Sequence, residues 1–181
     1  MKRNISIIGS VGVPAQFGGF ETLVENLIEH GHDKIQYTVF CARGRSKELL
    51  ESYKGAKLKY VRFDANGIQS IPYDIVSMIR ALTQGDRHLL VLGVSGCIFL
   101  PLIRLIFGPR VKIFTNIDGL EWQREKWGTA ASLFLRMSES IAVRFSDCVI
   151  ADNKAIADYV SGTYRKSSRM IAYGGDHALK H

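Results

Sequence analysis

Apolar positions along this chain fall into two alternating kinds of run. Short blocks of aliphatic and β-branched residues, bounded by glycine or charge, occupy 4–9, 36–41, 57–62, 89–93, 111–115 and 148–151, with a weaker one at 169–172. Blocks that are apolar on successive residues suit strands covered on both faces. Between most of them apolar residues recur at helical spacing, over 20–30, 46–53, 72–84, 97–107, 129–145 and 153–161. In the first of these Phe20, Leu23, Val24, Leu27 and Ile28 form one stripe and Gly31 supplies a stop. Pro72 suits a first-turn position. Strands alternating with helices predict right-handed βαβ units and an α/β chain: a Rossmann-like, doubly wound, mostly parallel sheet with helices on both faces.

The stretch 89–107 is apolar enough to suggest a membrane span, but Gly93, Ser95, Gly96, Pro101 and Arg104 interrupt it. It divides better into a buried strand and a hydrophobic helix. Composition agrees with a globular domain, with 46% hydrophobic and 23% charged residues in 181. Cys41, Cys97 and Cys148 lie far apart in or beside apolar runs, which suits reduced core thiols and a cytoplasmic setting. The five histidines and three cysteines show no zinc spacing, so neither a metal nor a cofactor is expected. Met1-Lys2-Arg3 precedes an apolar run too short for a signal peptide.

The net charge of +7 reads either as a solvated basic surface or as a match for an anionic partner. A phosphorylated substrate and an acidic membrane leaflet both qualify. Nucleic acid is not favoured, because no helix-turn-helix, basic helix or RNA-binding aromatic signature is present.

Two constellations carry candidate chemistry. Gly18 and Gly19 stand where the first helix begins, after a first strand, and residues without a Cβ let a ligand approach the unpaired N–H groups there. Those groups and the helix dipole favour a phosphate. The glycines could equally serve only to turn the chain. The spacing of Gly9, Gly12, Gly18 and Gly19 matches neither the dinucleotide fingerprint nor the P-loop, and the connection is longer than an ordinary strand-to-helix turn. The second constellation runs from Asn116 through Asp118, Glu121 and Trp122 to Arg124, Lys126 and Trp127. Carboxylates beside indoles suit a sugar, whose hydroxyls need hydrogen bonds and whose ring faces stack, and a tuned carboxylate can act as a base. Equally, Asp118 could be a turn residue before Gly119, and the tryptophans could pack under the next helix. Both segments follow strands, so both should reach the cleft at the strands' carboxyl ends.

The strings VGVPAQFGGFETLVENL and NIDGLEWQREKWG resemble the two hallmark stretches of bacterial rhamnosyltransferase-type sugar transferases of glycosyltransferase family four. The resemblance runs from the first strand to about Asp176. It implies the amino-terminal, acceptor-side half of a GT-B architecture over residues 1–176, with 177–181 starting a crossover into a donor-binding domain outside this chain. On that reading the chain alone is inactive. The full enzyme would transfer a sugar, with retention and without a metal, from a nucleotide-sugar to a lipid-diphosphate-linked saccharide at the inner membrane face.

Carried over residue by residue, Gly18 and Gly19 would meet the donor diphosphate, and Asp118 and Glu121 would be the catalytic carboxylates at the sugar hydroxyls. Gln16, Phe17, Glu21, Asn116, Trp122 and Lys126 would contact acceptor or sugar. Gln16 and Phe17 stand where the family pattern has Arg and Tyr, and Ala172 stands in place of a proline, so fine specificity departs from the pattern. Two alternatives remain beside it: a nucleotide- or NAD(P)-dependent oxidoreductase or epimerase domain, for which Phe40-Cys41-Ala42-Arg43 offers no ribose-binding acid, and a non-catalytic glycan-binding module.

Overall fold

A computed structural model describes residues 3–16, 18–31, 34–45, 48–117, 119–124 and 127–172. Its strands are β1 (Arg3–Ile8), β2 (Ile35–Ala42), β3 (Ser52–Tyr53), β4 (Ala56–Val61), β5 (His88–Leu92), β6 (Lys112–Ile117), β7 (Cys148–Ala151) and β8 (Arg169–Met170). They form one sheet in the order β3-β4-β2-β1-β5-β6-β7-β8, parallel throughout except for β3 against β4. The helices are α1 (Gly19–Gly31), α2 (Ser70–Thr83), α3 (Leu100–Phe107), α4 (Thr129–Phe145) and α5 (Lys154–Tyr164). The chain builds outward from β1 to β4 on one side and then from β5 to β8 on the other. The switch in strand order therefore falls between β1 and β5, where doubly wound sheets open a crevice.

The two faces are covered unequally. On one, α1 sets Val24 and Ile28 against Ile7, Val39 and Leu92. On the other, α2 to α5 bury Tyr73, Met78, Leu100, Ile103, Ala142 and Val160 against Ile8, Val91, Ile113, Ile117 and Val149. Each such side chain contributes about 1.5–3 kcal/mol when fully buried. Helices thus lie on both faces as expected, but four share one face. The burial pattern along β5, β6 and β7 follows from this: Leu89, Val91, Ile113 and Val149 are fully covered, whereas Leu90, Phe114, Cys148 and Ile150 on the α1 side are only half-buried.

The stretch 89–107 resolves into β5, a 3-10 turn at Cys97–Phe99 and α3, with Pro101 in the first turn of that helix. No helix among the described residues is long and apolar enough to cross a membrane. One expected element is absent. The helix anticipated over 46–53 is not formed over 48–53; instead Ser52–Tyr53 pairs antiparallel with β4 across Lys54 and Gly55, both at positive φ (46° and 82°). Local hairpin geometry outweighs the helical spacing here, because the tight turn lets Tyr53 and Leu50 pack on the α1-side core. Residues 46 and 47 lie outside the described residues.

The loop after β1 is held by polar bonds as well as by the packing of Val11 and Val13. The Ala42 N–H donates to the Val11 carbonyl at 2.8 Å. The fully buried Tyr73 hydroxyl lies 2.8 Å from the Ser10 carbonyl and 2.7 Å from that of Phe40 and shares its one proton between them. Removing that hydroxyl leaves two buried carbonyls short of a donor, so Tyr73→Phe should lower stability by about 1–3 kcal/mol. Urea unfolding checks the magnitude, and faster amide exchange at residues 9–12 than in the sheet interior checks the location.

Candidate active site

A cleft of about 360 Å³ opens at the carboxyl ends of β1, β5 and β6. One wall is the end of the β1–α1 loop and the first turn of α1, with Gly9, Val11, Gly18, Gly19, Phe20 and Glu21. The segment after β6 supplies Ile117, Gly119, Glu121, Arg124 and Trp127. Its floor and back come from Leu92 to Ser95 after β5, and from Asn66, Gly67, Ser70 and Asp74 at the start of α2. The two constellations read from the sequence therefore meet. A second recess of about 400 Å³ lies on the other side of the β1–α1 loop, lined by Gly12, Val13, Pro14, Gln16, Arg45 and Glu48, and it shares Val11, Glu21 and Asn66 with the cleft.

The glycine pair divides its work. Gly18 sits at φ +115°, and a Cβ there would meet the Glu21 Oε2 at 2.0 Å. That crowding exists because Glu21, buried in the first turn of α1, folds back so that its Oε1 accepts the Val11 N–H at 2.6 Å. Gly18 is thus a structural necessity, and the Glu21 carboxylate is committed to bracing the loop. Gly19 is exposed, and a Cβ on it would meet nothing within 4 Å. Its open side belongs to the cleft, not to the protein interior.

Across the cleft, Asn116 is buried at the end of β6, and its carbonyl accepts the Gly93 N–H at 3.0 Å, tying the loop after β5 to the neighbouring strand. Glu121 opens a 3-10 turn, Glu121–Gln123. Its Oε2 pairs with the Arg124 Nε at 2.8 Å and its Oε1 accepts the Trp127 indole N–H at 3.2 Å. The group is an oriented carboxylate with a cation and an aromatic ring on the cleft wall. Trp122 is placed differently: it lies half-buried against α4, with the Arg136 guanidinium 5.2 Å from its ring and its carbonyl accepting the Ser132 hydroxyl at 2.7 Å. The expected sugar contacts at Phe17 and Lys126 and the expected catalytic Asp118 lie outside the described residues. Gln16 reaches the neighbouring recess rather than the main cleft.

Three buried carboxyl groups were not anticipated. Asp86, two residues before β5, accepts the Ser6 hydroxyl at 2.7 Å. Glu139, on the covered face of α4, accepts the hydroxyls of Tyr159 at 2.7 Å and Tyr164 at 2.6 Å through Oε1, joining α5 to α4. Asp74, on α2, is 2% exposed and lies in the cleft. Its Oδ2 accepts the Gly96 N–H at 3.0 Å, and its Oδ1 has no partner among the described residues. A Cβ on Gly96 would strike the Asp74 Cβ at 2.2 Å, so only glycine allows that contact. Burial pushes the Asp74 carboxyl up to about 8, the Gly96 N–H opposing the shift in part. The signal was in the spacing: Asp74 falls on the same helical stripe as Tyr73, Ser77, Met78 and Ala81, all buried. Among the described residues no three His, Cys, Asp or Glu gather closely enough to hold a metal ion.

Comparison with known proteins agrees with the fold. The model of a domain of unknown function, DUF1972, matches residues 2–176, and the chain belongs to that family. No curated protein sequence is significantly similar to it. Among solved structures, sucrose-phosphate synthase from Thermosynechococcus elongatus is similar at a TM-score of 0.71 and 13% identity, over 94% of this chain and 47% of that one. Arabidopsis thaliana UGT89C1 complexed with UDP-L-rhamnose is similar at a TM-score of 0.58 and 12% identity, over 97% of this chain and 52% of that one. The chain spans about half the length of these two structures. At such identities the likeness is one of fold, and it matches the GT-B half expected from the resemblance.

Asp74 also makes a stability prediction. An unfolded aspartate releases its proton near 3.8, whereas the folded group keeps it to about 8. The folded state binds the extra proton across that window, so this group's contribution falls as pH rises, by about 1.4 kcal/mol per pH unit at most. Wild-type melting temperature should therefore drop between pH 5 and pH 8 more steeply than that of Asp74→Asn. Equal slopes in a thermal-unfolding series would show that Asp74 ionises normally.

Proposed function

We propose that this domain is the acceptor-side, amino-terminal half of a glycosyltransferase that uses a nucleotide-sugar donor. The observation that carries the reading is the convergence on one cleft, at the switch in strand order, of an open glycine at a helix N-terminus and a Glu121–Arg124–Trp127 wall. The fold likeness to sucrose-phosphate synthase and to UGT89C1 supports it. In this reading the first turn of α1 at Gly19 faces the donor diphosphate, where N–H groups and the dipole stabilise charge that grows on the leaving nucleoside diphosphate. Glu121 contacts the sugar, held in place by Arg124 and Trp127, and Asp118 is the second catalytic carboxylate. The donor-binding domain lies beyond residue 181, and rhamnose is the sugar that the two sequence strings favour.

The acceptor in this proposal is a lipid-diphosphate-linked saccharide, reached at a membrane surface. The outer side of α3 supports that part: Leu105 is 81% exposed and Ile106 61% exposed, with Leu102 beside them. Arg110 follows the helix, and Arg144 lines a shallow recess with Pro109. Exposed apolar residues on a chain of net charge +7 suit an acidic bilayer.

Three measurements test the proposal. A polypeptide containing this domain and its donor-binding partner, screened with nucleotide-sugars and a lipid-diphosphate-linked saccharide, should form a glycosylated lipid; no product with any donor would sink the reading. Gly19→Val has room in the fold, so it should keep the wild-type melting temperature and yet lose at least tenfold in transfer rate. Unchanged transfer would remove Gly19 from the site. The domain should also co-sediment with vesicles containing phosphatidylglycerol and not with neutral ones, and Leu105→Glu with Ile106→Glu should abolish this binding.

A further inference from the structure

We infer that Asp74 is a ligand-binding residue that donates a hydrogen bond from its carboxylic acid to a phosphoryl oxygen held in the cleft. The geometry sets the direction of that bond. Oδ2 already accepts the Gly96 N–H, so the acid proton resides on Oδ1, and the described residues offer Oδ1 no acceptor. A buried O–H without an acceptor is unfavourable, and a ligand oxygen removes that deficit. The carboxyl sits in the cleft with Gly18, Gly19 and the 93–95 loop, which brings it to the same volume as the N-terminus of α1. Helix α1 runs over Gly19–Gly31, long enough for its dipole to favour an anion there.

Charge around the group selects the same ligand. Tyr73 on α2 and Cys97 in the turn after β5 are both held neutral by burial. From α1, the Glu21 carboxylate is occupied by the Val11 N–H, and from the segment after β6, Glu121 is paired with Arg124. An ionised Asp74 would add a third carboxylate to that set and repel a phosphate, whereas burial keeps Asp74 protonated at neutral pH. An ionised phosphoryl oxygen accepts and cannot donate, so it needs the protonated acid. A sugar hydroxyl, which can also donate, would bind the ionised form as well.

This inference rests on reading the cleft as a diphosphate site, but it does not require that sugar be transferred. It is tested on the 181-residue chain by following the Asp74 carboxyl carbon by NMR from pH 5 to 10, with and without inorganic diphosphate. Diphosphate should move the Asp74 midpoint upward by about one unit or more. By reciprocity, wild-type affinity for diphosphate should fall between the free and bound midpoints by the factor that the shift sets, about tenfold for one unit, beyond the ligand's own ionisation. Asp74→Asn keeps a donor without the titration, so its affinity should follow the ligand's ionisation alone. Asp74→Ala should lose at least tenfold at pH 6.

A midpoint that ignores diphosphate while the Gly18 and Gly19 amides respond to it would overturn the inference. So would identical pH dependence in wild type and Asp74→Asn, affinity that rises on ionisation, or no diphosphate binding at pH 6. If sugar transfer is observed but Asp74 ignores diphosphate, this inference fails and the proposed function stands. If the coupling is present and no donor supports transfer, the anion site stands and the proposed function fails.

Discussion

The architecture of the cleft depends on close backbone approach at the switch in strand order. Gly9 lies where a Cβ would be 2.0 Å from the Leu92 carbonyl oxygen, so the chain leaving β1 passes against β5 with no room for any side chain. A Cβ on Gly12 would likewise be too close to Cys41 on β2, 2.7 Å from its Sγ. Both glycines sit at positive φ, at +100° and +127°. A loop pressed so closely onto buried strands has polar groups that water cannot reach, and each requires a protein partner. Tyr73, Ala42 and Glu21 supply those partners from α2, β2 and α1. Once the loop is fixed, Gly18 and Gly19 can only emerge at the mouth of the crevice.

The same economy governs the facing wall. The loop after β5 is tied to the end of β6 through the Gly93 N–H and the Asn116 carbonyl, so the cleft floor is fixed to the strand that leads into the Glu121 turn. Glu121 is partly exposed, and its ion pair with Arg124 is worth little as stability. Its consequence is orientation: a bond from Arg124 on one oxygen and from the Trp127 indole on the other leave the carboxylate few rotamers. An oriented ionised group beside an aromatic plane discriminates among ligands more than it strengthens the fold.

Much of this was legible in the sequence, and the failures have physical causes. Thr129–Phe145 coincides with its expected helix, and β7 with its expected strand, because burial and periodicity agree there. The meeting of the glycine and NIDGLEW segments was foreseeable, since both follow strands of one parallel sheet. The 46–53 region misled because Leu49, Leu50 and Tyr53 fit a helical stripe, whereas the turn at Lys54 and Gly55 acts over only two residues. Trp122 and Trp127 lie five positions apart, and nothing in their spacing tells which one packs against α4 and which lines the cleft. Asp74 was missed because one carboxylate on an otherwise apolar helix face reads as a flaw in the pattern.

That flaw is informative when set beside Glu139, the other carboxyl buried among helices. Glu139 receives two tyrosine hydroxyls on Oε1, has no partner for Oε2 among the described residues, lies outside the cleft and joins α4 to α5. A fold gains from such a group, which links two elements through hydrogen bonds to one carboxyl oxygen. Asp74 receives one backbone N–H, links α2 only to the loop after β5, and requires a glycine at 96 to fit at all. An apolar residue at 74 would spare the fold the desolvation, while its Cβ would still require glycine at 96. A carboxyl kept where it weakens the domain, with one oxygen idle and a cleft beside it, belongs to the chemistry of the cleft rather than to the packing of α2.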